Sequence, residues 1–263
     1  MIPISRPIIQ RDSERERILK LLSVRSKHSA YQALHPALRD TLSVTDSPSG
    51  KYEGARWDFM EKNLNIAGLR VVDIGANTGY FSMATLQANA KEVVAIEGNP
   101  EHAEFILAAS RFMNWDRRLR VESRYFEFDK EDESYDVAFC LNVLHHFGDD
   151  FGDPSLNIDQ AKRGIRDQLR HLSTCARYCW FQLGFNWKGD RHAALFPHGL
   201  KVELIDFVQQ ACLDSWEIKQ TAIFNPANLT YEKINDTLLG RFDEIGEFLN
   251  RPLFLFSSTS FSG

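Results

Sequence analysis

From Gly68 onward, short apolar runs alternate with longer segments of helical spacing, and few folds accept that alternation. Leu69–Ile74, Val93–Glu97, Leu119–Ser123, Tyr135–Leu141, Tyr178–Leu183, Trp216–Thr221 and Pro252–Ser257 read as strands. Between them, Tyr80–Ala90, Pro100–Met113, Asp159–Leu172 and Val202–Cys212 read as helices, the second with proline at its first position. The Leu69–Ile74 run ends in glycine, the look of a strand buried on both faces. Strands separated by helices call for a parallel sheet covered on both sides, and right-handed crossovers make it doubly wound.

The first fifty residues fall outside that pattern. Ser13 to about Leu42 has helical spacing, with Ile18, Leu19, Leu21, Leu22, Leu34 and Leu38 as its apolar positions. Thr45-Asp-Ser-Pro-Ser-Gly50 is rich in helix breakers and marks a boundary, and Trp57 to Leu64 reads as a further helix. The chain therefore divides into an N-terminal helical arm, 1–50, and a main domain, 51–263. Two stretches exceed a minimal α/β fold: a Gly/Asp/Pro loop at Phe147–Asn157 and an excursion at 224–250. Long connections at the carboxyl edge of such a sheet shape substrate sites.

Composition narrows the function classes. A net charge of −5 argues against a surface given over to nucleic acid. Residues 1–40 nonetheless hold eight Lys/Arg against four Asp/Glu. This basic arm fits either phosphate contact or a solvated helical face. Met1-Ile-Pro-Ile-Ser-Arg-Pro lacks the apolar core of a signal peptide, and no run approaches the roughly 18 apolar residues of a membrane span. Cys140, Cys175, Cys179 and Cys212 have no metal-ligand spacing, so buried reduced thiols in a cytoplasmic protein are expected.

The chemistry concentrates at Val71-Val-Asp-Ile-Gly-Ala-Asn-Thr-Gly-Tyr-Phe-Ser82. A strand ending at Gly75 turns into a helix near Gly79, and the N–H groups at that helix start favour an anion such as a carboxylate. Asp73 is placed to orient the loop or to meet an ammonium through water. Glu97 ends the next strand, twenty-four positions on, where a carboxylate accepts hydrogen bonds from both hydroxyls of a ribose. Gly98 and Asn99 leave room for an adenosine along that edge. No Gly-Lys-[Ser/Thr] is present, and Asn77 stands where a dinucleotide fingerprint has its second glycine. An adenosine carrying an amino-acid tail is the ligand left.

Val-Asp-Ile-Gly-Ala-Asn-Thr-Gly-Tyr-Phe-Ser resembles motif I of the class I S-adenosylmethionine-dependent methyltransferases. Val93-Val-Ala-Ile-Glu-Gly-Asn-Pro100 and Asp136-Val-Ala-Phe-Cys-Leu-Asn-Val-Leu-His-His-Phe147 resemble the family's segments at the second and fourth strands. The resemblance covers about Gly68 to Phe147. It implies a doubly wound, seven-stranded Rossmann-like sheet with an antiparallel last strand, and S-adenosylhomocysteine as product. It also implies that Gly75, Ala76, Asn77 and Gly79, with Tyr80 and Phe81 of the same motif, surround the methionine tail. Glu97, Gly98 and Asn99 would hold the ribose side, Arg124 and Tyr125 the adenine, and Asn142 the cofactor or acceptor. Many members have Asp where this chain has Arg124, which leaves the Tyr125 N–H to meet the adenine. Lys51-Tyr-Glu-Gly-Ala-Arg-Trp57 resembles the approach helix of sugar- and tRNA-modifying members, making Tyr52 and Arg56 candidates to clamp the cofactor carboxylate. As a plain helix start they need no such role.

Methyl transfer to a hydroxyl needs alignment and a base. His145 and His146 follow the fourth strand, where the acceptor is expected, although His-His there also serves packing roles. Past the fifth strand, Asn186, Trp187, Asp190 and Arg191 suit a sugar ring stacked on the indole, or else tie down the sheet edge. No carboxylate cluster marks a metal site, so no metal is expected. The leading expectation is O-methylation of a sugar, a glycan or another small molecule, by analogy with bacterial polysaccharide methyltransferases. A tRNA-modifying methyl or related group transferase and a non-catalytic cofactor-binding scaffold are the alternatives.

Overall fold

The computed structural model describes residues 8–23, 32–44, 52–131, 133–241 and 246–261. The turn expected at 45–50 lies outside these residues. The chain forms two compact units: Met1–Trp57 with Leu64–Phe126, and Asp58–Asn63 with Glu127–Gly263.

The first unit holds α1 (Ile8–Ser23), α2 (Pro36–Leu42) and the start of α3 (Glu53–Asn63). Then follow β1 (Arg70–Ile74), α4 (Tyr80–Gln87), β2 (Glu92–Ile96), α5 (Pro100–Phe112) and β3 (Leu119–Glu122). Its strands run in the order β3-β2-β1, all parallel, with Val71 opposite Val93 and Val93 opposite Leu119. The Asn99 side chain accepts from the Glu101 and His102 N–H groups, and Pro100 presets the first turn, which fixes where α5 begins.

The arm does not stand apart from this unit. Ile18 of α1 and Leu34, Leu38 and Leu42 in and before α2 bury themselves against Met83 of α4 and Phe105, Ala108, Ala109 and Phe112 of α5. Its cations are used in docking. Arg11 lies over the Phe112 ring, Arg15 donates to the Leu42 carbonyl, and Arg17 pairs with Glu104 at 2.8 Å.

The second unit holds β4 (Tyr135–Leu141), α6 (Ile158–Cys175), β5 (Ala176–Gln182), α7 (Lys201–Cys212) and β6 (Trp216–Asn225). It ends with β7 (Thr230–Lys233), α8 (Asp236–Gly240), α9 (Glu247–Asn250) and β8 (Leu253–Ser258). Its strand order is β4-β5-β8-β6-β7. β4 and β5 are parallel; β8 runs antiparallel to β5 and to β6, and β7 antiparallel to β6. Trp180, Phe181, Phe254 and Phe256 are fully or almost fully buried, with Phe181 and Phe256 stacked at 5.5 Å. The Trp216 indole N–H reaches the Leu169 carbonyl at 2.8 Å and pins α6 to this core.

The expected Rossmann-like α/β class and its antiparallel last strand both hold. The strand count changes from seven to eight among the described residues. β6 runs on to Asn225 and turns back as β7, so the 224–250 excursion opens as a hairpin. Tyr231, buried against Phe224 at 5.6 Å, supplies the apolar contact that fixes the extra strand. All four cysteines are free and buried, as expected. Among the described residues, no helix is long and apolar enough to cross a membrane.

Candidate active site

In the first unit, β1 delivers its last residues into a tight turn. The N–H groups of Gly75 and Ala76 both donate to the Ile96 carbonyl, at 2.8 and 3.2 Å. Asn77 and Gly79 take φ of 54° and 79°. Gly79 caps α4, and a Cβ there would sit 3.1 Å from the Ile106 side chain, so backbone and packing both demand glycine.

Asp73 points inward. Its Oδ2 accepts the Ser82 hydroxyl at 2.6 Å, and burial pushes its carboxyl up to about 6, against the lowering effect of the Ser82 bonds. Glu97 ties two loops together. Its Oε2 accepts from Asn77 N–H at 2.7 Å and its Oε1 from Asn99 N–H at 2.8 Å. A carboxylate oxygen can accept more than one hydrogen bond, and His102 Nδ1 lies 4.0 Å from Oε1.

The other cofactor candidates of this unit are placed as follows. The Tyr125 ring packs against Gly98, so close that a Cβ there would stand 2.3 Å from it. Arg124 is turned to Glu122, with Nε 2.7 Å from Oε2. Tyr52, half exposed, has φ of 57° and receives the Arg56 N–H on its carbonyl. Arg56 is buried, its guanidinium 5.5 Å from the Phe81 ring, so α3 brings a cation to the first turn of α4.

In the second unit the chain leaves β4 at Asn142, which takes φ of 63°. Its amide is engaged at both ends, donating to Gln182 Oε1 at 3.0 Å and accepting from Arg251 Nη1 at 2.8 Å. Arg251 also clasps Glu247 Oε1 through Nε and Nη2, at 3.0 and 2.8 Å, while Gln182 Nε2 reaches the Arg251 carbonyl. Asn142 thus belongs to a polar network, buried except at Glu247, joining β4, β5 and the segment before β8. Sequence reasoning missed the other three members. Only Gln182, polar within an apolar strand, carried a signal.

The two histidines part company. His145 is 1% exposed and its Nδ1 accepts the Gly184 N–H at 3.3 Å. A Cβ on Gly184 would fall 2.8 Å from that ring, so glycine is needed for the close approach. His146 keeps partial exposure, and its Nδ1 lies 3.3 Å from Asp150 Oδ2 and 3.9 Å from Asp149 Oδ2. The sequence reading saw no carboxylate cluster, yet these three residues offer atoms within 4.8 Å of one another. The short 3-10 turn Leu144–His146 brings positions three and four along the chain back to the ring.

The loop after β5 is also ordered by its own contacts. Trp187 is buried, with its indole N–H on the Phe147 carbonyl at 2.7 Å and Lys188 Nζ 4.3 Å from its ring centroid. Asp190 accepts the His192 N–H, Asn186 bridges Ala194, and Arg191 is exposed. A cavity of about 570 Å³ opens beside this loop, lined by Asn186, Leu200, Lys201, Asp236, Arg241 and Glu247 among others. Of the four substrate candidates, Asn186 alone lines it.

Comparison with known proteins agrees with these motifs. Residues 72–171 match a family model described as a methyltransferase domain. A tRNA U34 carboxymethyltransferase of Pseudomonas aeruginosa (strain LESB58) is 28% identical over 95 residues, 35% of this chain and 28% of that protein. One from Sulfurimonas denitrificans is 31% identical over 97 residues, 36% of this chain and 31% of that protein. The match thus spans only about a third of these relatives' length. Among solved structures, the bifunctional kinase-methyltransferase WbdD aligns over 91% of this chain and 46% of its own, at a TM-score of 0.55 and 16% identity, which shows a shared fold.

Proposed function

We propose that this chain, which carries a methyltransferase domain of the class I S-adenosylmethionine-dependent type, methylates a hydroxyl oxygen with His146 as the base. The observation that carries the choice of base is the pairing of His146, rather than His145, with carboxylates.

The turn and its neighbours fit S-adenosylmethionine chemically. A carboxylate such as Glu97 can accept a ribose hydroxyl as well as a backbone N–H, and the glycine turn feeds a helix start with no side-chain cap from Gly79. Glu97 would hold the ribose hydroxyls, the Gly75–Gly79 turn the amino-acid tail, with Asp73 and Arg56 behind it. When bound, the cofactor supplies a methyl carbon activated by the adjacent sulfonium.

The chain's own groups do the rest. Carboxylates at Asp149 and Asp150 favour a proton on His146 Nδ1, which leaves the Nε2 lone pair to take the hydroxyl proton. The same carboxylates then stabilise the imidazolium. The cavity beside the loop after β5, with Asn186 in its wall, is the space proposed for a small acceptor such as a sugar.

A second reading, transfer of a methyl or carboxymethyl group to a tRNA, is favoured by the names of the relatives. Labelled cofactor incubated with nucleotide sugars, oligosaccharides and tRNA separates the two. Label on a saccharide supports the first reading; label on tRNA alone, falling steeply with salt, replaces it with the second. If the protein does not bind S-adenosylhomocysteine, both readings fail.

A further inference from the structure

We infer that Gln32 is a built-in stand-in for the carboxylate of the cofactor's amino-acid tail, so that the N-terminal arm sets how tightly that tail is held; this rests on the cofactor reading above.

The Gln32 Oε1 accepts from the Tyr80 N–H and from the Thr78 hydroxyl, both at 3.3 Å. Tyr80 is the first residue of α4, and its cap, Gly79, has no side chain to offer. First-turn N–H groups lack partners within their own helix and attract negative charge. A carboxamide oxygen 46 to 48 residues away therefore fills the position in which the turn would bind an anion.

The substitution is an imperfect one, and that makes it reversible. Both bonds are longer than the usual range, and the acceptor is neutral. A carboxylate there would make shorter, charge-assisted bonds of about twice the strength. The tail therefore displaces Gln32, and its apparent affinity is lowered by the competition.

A second polar side chain of the arm meets the same helix start. His35 is 6% exposed, its ring stands edge-on to the Tyr80 ring at 5.2 Å, and its Nδ1 has no hydrogen-bond partner among the described residues. Leu34, Leu38 and Leu42, packed on α4 and α5, anchor the segment that carries both residues. The position of Gln32 is thus set by the core and not by the two weak bonds alone.

Calorimetric titration of the full chain with S-adenosylhomocysteine and with methylthioadenosine, which lacks the tail, tests this. Gln32→Ala is expected to tighten S-adenosylhomocysteine on the order of 3- to 10-fold and leave methylthioadenosine unchanged. Gln32→Glu, nearly isosteric, puts a competing charge on the helix start and is expected to weaken the tailed ligand about tenfold, again with no effect on the tailless one. Equal shifts for both ligands, or no tightening in the alanine variant, would overturn the inference. Should the alanine variant not fold, an unchanged affinity in Gln32→Glu overturns it instead. Wild-type protein that binds neither ligand would end the cofactor reading and this inference together. Wild-type protein that binds S-adenosylhomocysteine, with variants that match it, would end this inference alone.

Discussion

His146 Nδ1 stands 3.3 Å from Asp150 Oδ2, an ion-pair distance. The adjacent His145 ring, 4.2 Å away between centroids, is committed to the Gly184 backbone instead. Two histidines that look alike in the sequence are separated by what their Nδ1 atoms face.

His146→Ala is expected to lower kcat by about 10²- to 10⁴-fold, the usual worth of a general base, with S-adenosylhomocysteine affinity unchanged. Asp150→Asn should retain the ring but lose its orientation, at a smaller cost in kcat. His145→Ala should show up in thermal unfolding rather than in a selective loss of turnover. Full turnover in His146→Ala, measured with labelled cofactor, would remove it as the base.

Glu97→Gln preserves size but turns one acceptor into a donor facing a backbone N–H. Either Asn77 or Asn99 then loses its partner, and so does one ribose hydroxyl. Affinity for S-adenosylhomocysteine is expected to fall at least tenfold in calorimetry. Wild-type affinity in this variant would mean that Glu97 serves the loops and not the ligand.

Asp73 gives a pH dependence with a definite sign. Its folded carboxyl titrates at about 6, above the ordinary 3.8, so it binds protons more readily in the folded state. Its contribution to stability is complete below about pH 4 and is lost as pH rises through 6, reaching a penalty of about 2 to 3 kcal/mol at neutral pH. Asp73→Asn should therefore stabilise the ligand-free protein more at pH 8 than at pH 4.5, in urea unfolding. His35, held at about 4 by burial, has the opposite slope, losing stability as pH falls below its ordinary 6.5, and it cancels in the wild-type-minus-variant difference. A difference that does not change with pH would show that the Asp73 carboxyl is not displaced by burial.

Arg251→Ala strips Asn142 and Glu247 of a shared partner at the ends of β4 and β8. A loss of about 2 to 3 kcal/mol in chemical unfolding is expected, tempered by the partial exposure of Glu247. Arg251→Lys should recover little of it, because an ammonium cannot reproduce the guanidinium fork that spans both partners. Recovery of full stability by lysine would reduce the network to simple charge pairing.

Elements with strong local signals are legible in the sequence alone. β4 begins and ends as the apolar run Tyr135–Leu141 indicates, and α5 starts at its proline. β7 was not legible, because Thr230–Lys233 has little apolar content and becomes a strand only through Tyr231 against Phe224 and pairing with β6. The arm likewise read as a separate piece, since nothing local says that Leu34, Leu38 and Leu42 find their partners on α5.

The sequence by itself determined the α/β class, the glycine turn from Gly75 to Gly79 and the acidic residue at position 97, because strand periodicity, left-handed φ and chain spacing are local properties. Tertiary structure alone decided that Glu97 spans two loops, that Asn142 is locked by Arg251, and that Gln32 reaches the start of α4. Each of these depends on at least one hydrogen bond between residues 20 to 109 positions apart. Such bonds form only after the apolar core has set the backbone, and no local pattern records them.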